Sequence, residues 1–386
     1  MATLDRRAAH PHDGCMGRPT IHQRIPALMP LGEVLARIDA IVQPVAPRKL
    51  ALTEAEGCVL AEDACVAAPV PAVPTLLRDG WAVRAEQVAD ASPYTPVVIA
   101  PPPAWLEAGE PMPAGTDAVL PVDAVRTTDA SVRAGGSEAQ ASVTVGDGVL
   151  DTGADAMPER PLRHTGEQLR AADIALLRAA GLSHVDVRTP RLLIAKRDDR
   201  PDNVAQMIDR ALAARGLRAQ FINTMRAFES ADGDAVISIG GTGEGKHDET
   251  ALALAIAGEI ECHGIGISPG RTAGLGRAQG RPVLLLPGRV DDALAAFLII
   301  GDAFLRRLTG ARPLAPGMPV TLVRKIVSTV GLAEVVPVRR VDGGAEPLAS
   351  GHWPMQAIAR ADGWVMVPPE SEGFAAGTQL KMRAFP

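Results

Sequence analysis

The chain has 386 residues, more than one ordinary core organises, so about two to four domains are expected. Aromatic residues make up only 3 %, too few for a surface that stacks nucleic-acid bases, and Ala, Val, Leu and Ile must fill the cores. A formal charge of −6 and a pI near 5.8 argue against a broad nucleic-acid or anionic-membrane surface, while leaving room for a local basic pocket.

Residues 1–19 mix His, Pro, Gly and charge without the apolar run of a signal peptide, and read as a frayed tail. LGEVLARIDAIV places Leu31, Val34, Leu35, Ile38, Ile41 and Val42 on one helical face. From Cys58 to about Pro161 the texture is short apolar runs among Pro and Gly. AVLPVDAV and ASVTV read there as strands of a β-rich insert, and APPPAWLEAGEPMPAG, with five prolines, as a shaped loop without a ladder. A helix is expected over 171–180, stopped by Gly181. From Arg191 strands and helices alternate: RLLIA, a helix capped by Asn203 and ended by Gly216, QFIN, AVISI, PVLLL, and helices after Asp248 and Asp291. That alternation predicts an α/β domain built on a parallel sheet covered on both faces. After Gly310, VTLVRKIV, EVVPVRR, GWVMVP and TQLKMRAF predict a C-terminal β-barrel or sandwich. The most apolar stretch, 283–300, is interrupted by Pro287, Gly288, Arg289, Asp291 and Asp292, so no membrane span is expected. Cys15, Cys58, Cys65 and Cys262 form no CxxC pair, and His164, His184 and His263 show no metal-ligand spacing; the thiols read as reduced, in a cytoplasmic protein.

The most informative stretch is AVISIGGTGEGKHDETALALAI. A buried strand meets a loop holding Gly240, Gly241, Gly243 and Gly245, and a helix starts near Asp248. Glycines let backbone N–H groups converge on a bound group, and a helix start favours a phosphate. The loop lies at the carboxyl end of a strand, where open α/β sheets bind ligands. Asp248 serves either as the helix N-cap or as a ligand to a metal. The loop is also one hydroxyl short of a Walker A pattern, because His247 follows Gly245-Lys246; a P-loop NTPase remains an alternative. A second loop, LLLPGRVDDALAAF, runs through Pro287-Gly288 into a helix whose first turn carries Asp291 and Asp292, a placement that also suits the helix dipole. In LLRDGWAV, Asp79 precedes a glycine, which is an ordinary turn pattern by itself.

Together these phrases resemble the molybdopterin molybdenumtransferase family (MoeA and the gephyrin E-domain), in order and spacing from about Leu31 onward. The DGYA phrase appears as Asp79-Gly80-Trp81-Ala82, and PxPxGADAV as Pro111 to Val119. RxxGED appears as Arg163 to Gln168, and the glycine loop as Gly240-Gly241 through Gly245 to Asp248. KPGKP is reduced to Ser268-Pro269-Gly270-Arg271-Thr272, and LPGNP to Leu286-Pro287-Gly288-Arg289-Val290. The resemblance implies molybdopterin or adenylylated molybdopterin as ligand, molybdate as substrate, Mg²⁺-assisted release of AMP, a homodimer, and a possible molybdoenzyme client. It implies binding by Gly240, Gly241, Gly243, Gly245, Ser268, Pro269, Gly270, Arg271, Pro287 and Gly288, with Asp79 and Asp248 as catalytic and metal-binding carboxylates. It also implies a layout with a discontinuous helical and β domain over 20–57 and 155–188, a β-rich insert over 58–154, the α/β domain over 189–310 and the barrel over 311–386.

Several positions depart from the family's pattern. TGDEL aligns with Arg197 to Pro201, so Arg200 reverses an acidic charge. Gln168 replaces the last carboxylate of GED, Ala108 a threonine, Ser268 and Arg271 two lysines, and Arg289 an asparagine; the stretch before AVISI is short. Losing metal-binding carboxylates harms metal-assisted hydrolysis more than folding. The expectation is therefore a protein that binds the pterin and inserts molybdenum weakly, with a non-catalytic binding protein or assembly factor as the alternative.

Overall fold

The computed structural model describes residues 23–197, 202–313 and 316–385. The expected N-terminal tail, Cys15 and Arg200 lie outside the described residues. The chain divides into two compact units, one of residues 1–43, 190–307 and 314–386, the other of residues 44–189 and 308–313.

The second unit is built from small antiparallel sheets. Arg48–Ala51 and Val59–Leu60 flank His184–Arg188, over a core that includes Leu52, Leu60, Leu169, Leu177 and Val187. Gly80–Val83 sits between Ala104–Leu106 and Ala118–Leu120, and Ser137–Ala139 between Val97–Ile99 and Val125–Arg126. The expected helix runs Ala171–Ala179, and Gly181 ends it at φ +86°. Three local readings are corrected. The Pro-rich segment contributes Ala104–Leu106 to a ladder, because its prolines flank those residues and leave their N–H groups intact. AVLPVDAV breaks at Pro121 into two short strands, and residues 141–145 are not a strand.

In the first unit, α1 (Leu31–Ile41) buries Leu31, Val34 and Ile38 as its periodicity requires. The α/β portion follows in chain order: β1 (Leu192–Lys196), α2 (Asn203–Ala213), β2 (Ala219–Asn223), α3 (Thr224–Glu229), β3 (Ala235–Ile239), α4 (Thr250–Ala257), β4 (Gly258–His263), β5 (Ile267–Ser268), β6 (Gly274–Ala278), β7 (Arg281–Leu286) and α5 (Val290–Ala296). The cap of α2 is Asp202 and not Asn203: its carboxylate accepts from the N–H groups of Val204 at 2.8 Å and Ala205 at 3.0 Å. The sheet order is β2-β1-β3-β7-β6-β4. The first four strands are parallel, whereas β7-β6 and β6-β4 pair antiparallel, so the expected parallel sheet is a mixed one. The cause is length: only Gln279 and Gly280 separate β6 from β7, too few for a parallel crossover. Every residue of β3 and β7 is buried, which is why they read as unbroken apolar runs.

The C-terminal portion adds β8 (Met318–Thr321), β9 (Ile326–Val327), β10 (Ala333–Val341), β11 (Gly344–Pro347), α6 (Met355–Arg360), β12 (Gly363–Val367), β13 (Gly373–Phe374) and β14 (Gln379–Ala384). The main sheet runs β5-β10-β12-β14-β8, with β11 beside β10. A closed barrel ladder does not form among the described residues, where an isolated bridge from Leu322 to Ala345 links β8's end to β11.

Candidate anion-binding loop

Register pairs Lys196 with Ile239 and Ile239 with Leu286, so β1, β3 and β7 end at one sheet edge. The chain leaves β1 for β2 on one side and returns as β3 on the other. The loop after β3 therefore opens at a topological switch point.

Gly240 and Gly241 hold φ of +82° and +68°, a region other residues rarely adopt, and a Cβ on Gly241 would collide with the Thr250 hydroxyl. Thr250 closes the turn twice, donating from its hydroxyl to the Gly240 carbonyl at 2.8 Å and from its N–H to the Gly241 carbonyl at 3.0 Å. The Gly240 N–H donates to the Leu286 carbonyl at 2.9 Å, tying the loop to β7. Asp248 is not the N-cap of α4. Its carboxylate accepts from the Gly245 N–H at 2.9 Å and folds the loop back on itself, while the cap position, Glu249, makes no side-chain cap bond. The N–H groups of Gly241, Thr242, Gly243 and Glu244 meet no acceptor among the described residues. Consecutive unpaired N–H groups beside a helix start form an anion-receptive concavity.

The rest of the site lies around this turn. A cleft of about 500 Å³ opens between Ile25–Leu28 on one side and Glu244, Gly245, Arg271 and Thr272 on the other, a size suited to a small ligand. Thr242 and Thr272 share a hydroxyl contact at 3.0 Å, and the His263 Nε2 contacts the Thr242 carbonyl at 2.7 Å. Gly288 approaches the loop closely: a Cβ there would lie 3.3 Å from the Gly240 Cα. Ser268 lies in β5, paired with β10, followed by buried Pro269 and Gly270. The Gly270 N–H donates to Asp292 Oδ1 at 2.7 Å. Arg197, after β1, donates to the His247 carbonyl at 3.2 Å.

The second loop has a different character. Pro287 is buried, and Arg289 reaches Asp291 at 3.2 Å and Asp292 at 3.3 Å. Asp291 also contacts the His352 Nδ1 at 2.7 Å and accepts the Trp353 N–H at 3.2 Å. Burial opposes ionisation of Asp291, yet the bonds from Arg289, His352 and Trp353 outweigh it and hold the carboxyl below its ordinary value. Asp292 moves the other way: burial raises it more than the Gly270 N–H lowers it.

The structure thus gathers Gly240, Gly241, Gly243, Gly245, Asp248, Arg271, Pro287 and Gly288 at or beside one sheet edge, and connects Gly270 to the second loop through Asp292. Asp79 belongs to the other unit, in an exposed turn where it accepts the Ala108 N–H at 2.8 Å. Gln168, also there, donates to the Gly57 carbonyl at 2.9 Å. No group of three or more His, Cys, Asp or Glu side chains among the described residues is arranged to hold a metal. The Walker-like spacing does not make a P-loop. The helix begins at Thr250, past His247, and Lys246 is exposed on a turn closed by Asp248. Sequence reasoning missed Gln23, Thr250 and His352; the partners of Gln23 and His352 are distant in the chain. Only Thr250 carried a signal, as a hydroxyl residue in the first turn of a helix after a glycine loop. No helix among the described residues is long and apolar enough to cross a membrane.

Residues 29–181 match the family described as MoeA N-terminal region (domain I and II), and residues 191–307 the family described as a probable molybdopterin binding domain. Molybdopterin molybdenumtransferase 2 of Mycobacterium tuberculosis is 27 % identical over 87 % of this chain and 94 % of the relative. Molybdopterin molybdenumtransferase 1 of the same organism is 25 % identical over 89 % and 96 %. A molybdopterin biosynthesis moeA protein from Pyrococcus horikoshii superposes with a TM-score of 0.73 at 25 % identity, covering 93 % of this chain and all of the other. With both domains matched in order, the glycine loop inside the second, and the fold shared along nearly the whole length, the chain belongs to the MoeA-type proteins, homologous to the molybdopterin molybdenumtransferases.

Proposed function

We propose that the chain acts in molybdenum cofactor biosynthesis as a molybdopterin molybdenumtransferase-like protein. It binds molybdopterin or adenylylated molybdopterin through the Gly240–Gly245 loop and inserts molybdenum weakly. The observation that carries this reading is the run of N–H groups from Gly241 to Glu244, without acceptors among the described residues, at the edge of a cleft that also holds Arg271. Backbone donors and one cation suit a phosphate whatever the side chains have become. The Ser268, Pro269 and Gly270 segment and the Pro287-Gly288 turn frame the same ligand. Asp79 and Asp248 are its catalytic carboxylates, and molybdate is the substrate to be delivered.

A second reading, binding without metal insertion, is favoured by the state of the acids. Asp248, Asp291 and Asp292 are each engaged by N–H groups or by Arg289. On either reading the chain is a cytoplasmic homodimer, with a molybdoenzyme as a possible client for the pterin it holds. The test is mass spectrometry of small molecules carried by the purified protein, with AMP release from adenylylated molybdopterin and complementation of a strain lacking its molybdenumtransferase. The expected result is a bound pterin with slow AMP release and poor rescue. Full rescue with rapid release would overturn the weak-insertion claim, and absence of any pterin binding would overturn the whole reading.

A further inference from the structure

The N-terminal segment just before the matched family region, which begins at residue 29, contributes an amide that the loop depends on. Gln23 is 7 % exposed although it is polar and far in sequence from everything it touches. Its side-chain amide nitrogen donates to the Gly241 carbonyl at 2.9 Å and to the Gly243 carbonyl, and its oxygen accepts the Ala251 N–H at 3.1 Å. These contacts fill a specific gap. The first N–H groups of a helix have no partner within it, and the residue at the cap position of α4, Glu249, supplies none. Asp248, next to it, is engaged with Gly245. Gln23 takes the capping role from 228 residues away while its nitrogen holds the Gly241 and Gly243 carbonyls. Two residues on, the Ile25 N–H donates to the Glu244 carboxylate at 3.0 Å, engaging the one acid inside the loop. Ile25 to Leu28 then form a wall of the cleft, and the Met29 N–H donates to the Gly264 carbonyl at 3.0 Å.

We propose that Gln23 is a positioning residue for the Gly240–Gly245 loop, and that Gln23 to Leu28 form a fixed strap across it. The Gln23 amide turns the Gly241 and Gly243 carbonyls away from the ligand and so presents the intervening N–H groups to it. The strap holds the Glu244 charge off the anion. This deepens the function proposed above and rests on it only for the ligand.

The experiment compares the unaltered protein with Gln23→Ala and Gln23→Glu by hydrogen exchange, read as protection factors that divide out the intrinsic pH dependence. Gln23→Ala should lower protection at Ala251, with its partner removed, and at Thr250, whose bond to Gly241 depends on the turn. The loss should be on the order of tenfold to a hundredfold, with the strands of the other unit unaffected. Gln23→Glu supplies a readout that packing alone would not move. Ionised, it sets a carboxylate against two carbonyls, with Glu244 in the loop and Asp248 and Glu249 just after it adding negative charge. Protonated, it regains one donor. At Thr250 its protection should fall below that of Gln23→Ala at pH 8 and rise above it near pH 5, while Ala251 keeps an oxygen acceptor throughout. Unchanged protection in Gln23→Ala, or a Gln23→Glu variant without pH dependence, would overturn the proposal. Molybdopterin affinity should fall in parallel with protection; loss of protection with undiminished affinity would refute the positioning role. Failure of the unaltered protein to bind molybdopterin would sink the functional reading and leave the strap to be judged by exchange alone.

Discussion

The loops after β3 and β7 start side by side at one sheet edge, and each leads through glycine into a helix, yet they are prepared for opposite partners. The Gly240 loop presents unpaired N–H groups, and its acids, Glu244 and Asp248, are engaged by Ile25 and Gly245. The Pro287 loop carries Asp291 and Asp292 in the first turn of α5, joined by Arg289 and His352. The first resembles an anion cradle in its donors. The second carries its own anions, which serve the helix dipole and connect the α/β portion to His352 and Trp353. Two similar-looking turns thus differ in charge: in the first the acids are engaged by Ile25 and Gly245, and in the second two carboxylates sit in the first turn of the helix itself.

The comparison breaks most severely at Gly241. Gly241→Val would place a branched side chain at positive φ against the Thr250 hydroxyl. We expect a loss of about 2–4 kcal/mol in chemical unfolding and loss of molybdopterin binding by about a hundredfold or more. Gly288→Val, at ordinary φ and exposed but with its Cβ 3.3 Å from the Gly240 Cα, should reduce binding less. Equal effects would show that the two loops share the ligand evenly.

Part of this contrast was legible in the sequence. The runs AVISI and PVLLL marked buried strands because both faces of a central strand are covered, and the spacing of glycines marked the turn between β3 and α4. The role of Asp248 was not legible: a carboxylate just before a helix usually caps it, and only the fold shows that it bonds back to Gly245. Gln23 was invisible because a glutamine in a polar segment carries no periodicity, and its value comes from a contact across 218 residues. The mixed sheet was missed because apolar runs do not record strand direction; the brevity of the β6-β7 turn does.

A smaller effect separates the two acids of the second loop. Asp291 titrates below its ordinary value when folded, so its stabilisation is present above the unfolded carboxylate pKa and lost as pH falls through the folded one. Asp292 titrates above its ordinary value, so its contribution is present in acid and lost as pH rises through the folded pKa. Asp291→Asn should therefore cost about 1–3 kcal/mol at pH 7, reduced because Arg289 is exposed, and the deficit should shrink in acid. Asp292→Asn should be within about 1 kcal/mol of neutral at pH 7 and relatively worse in acid. Urea midpoints from pH 3 to 8 test both, and parallel profiles for the two variants would contradict the assignment.

The mildest change is Arg289→Asn, which restores the family's residue. It should alter stability by about 0.5 kcal/mol or less, since the pair it breaks is largely exposed on the arginine side. If it also speeds AMP release, Arg289 is one cause of weak insertion; an unchanged rate would move that cause elsewhere.

The most direct test of the central claim is hydrogen exchange of the intact protein with and without molybdopterin. The account predicts ligand-induced protection over Gly241 to Glu244 and little over Pro287 to Asp292. Protection confined to Pro287 to Asp292, or none at Gly241 to Glu244 when the pterin is bound, would contradict it.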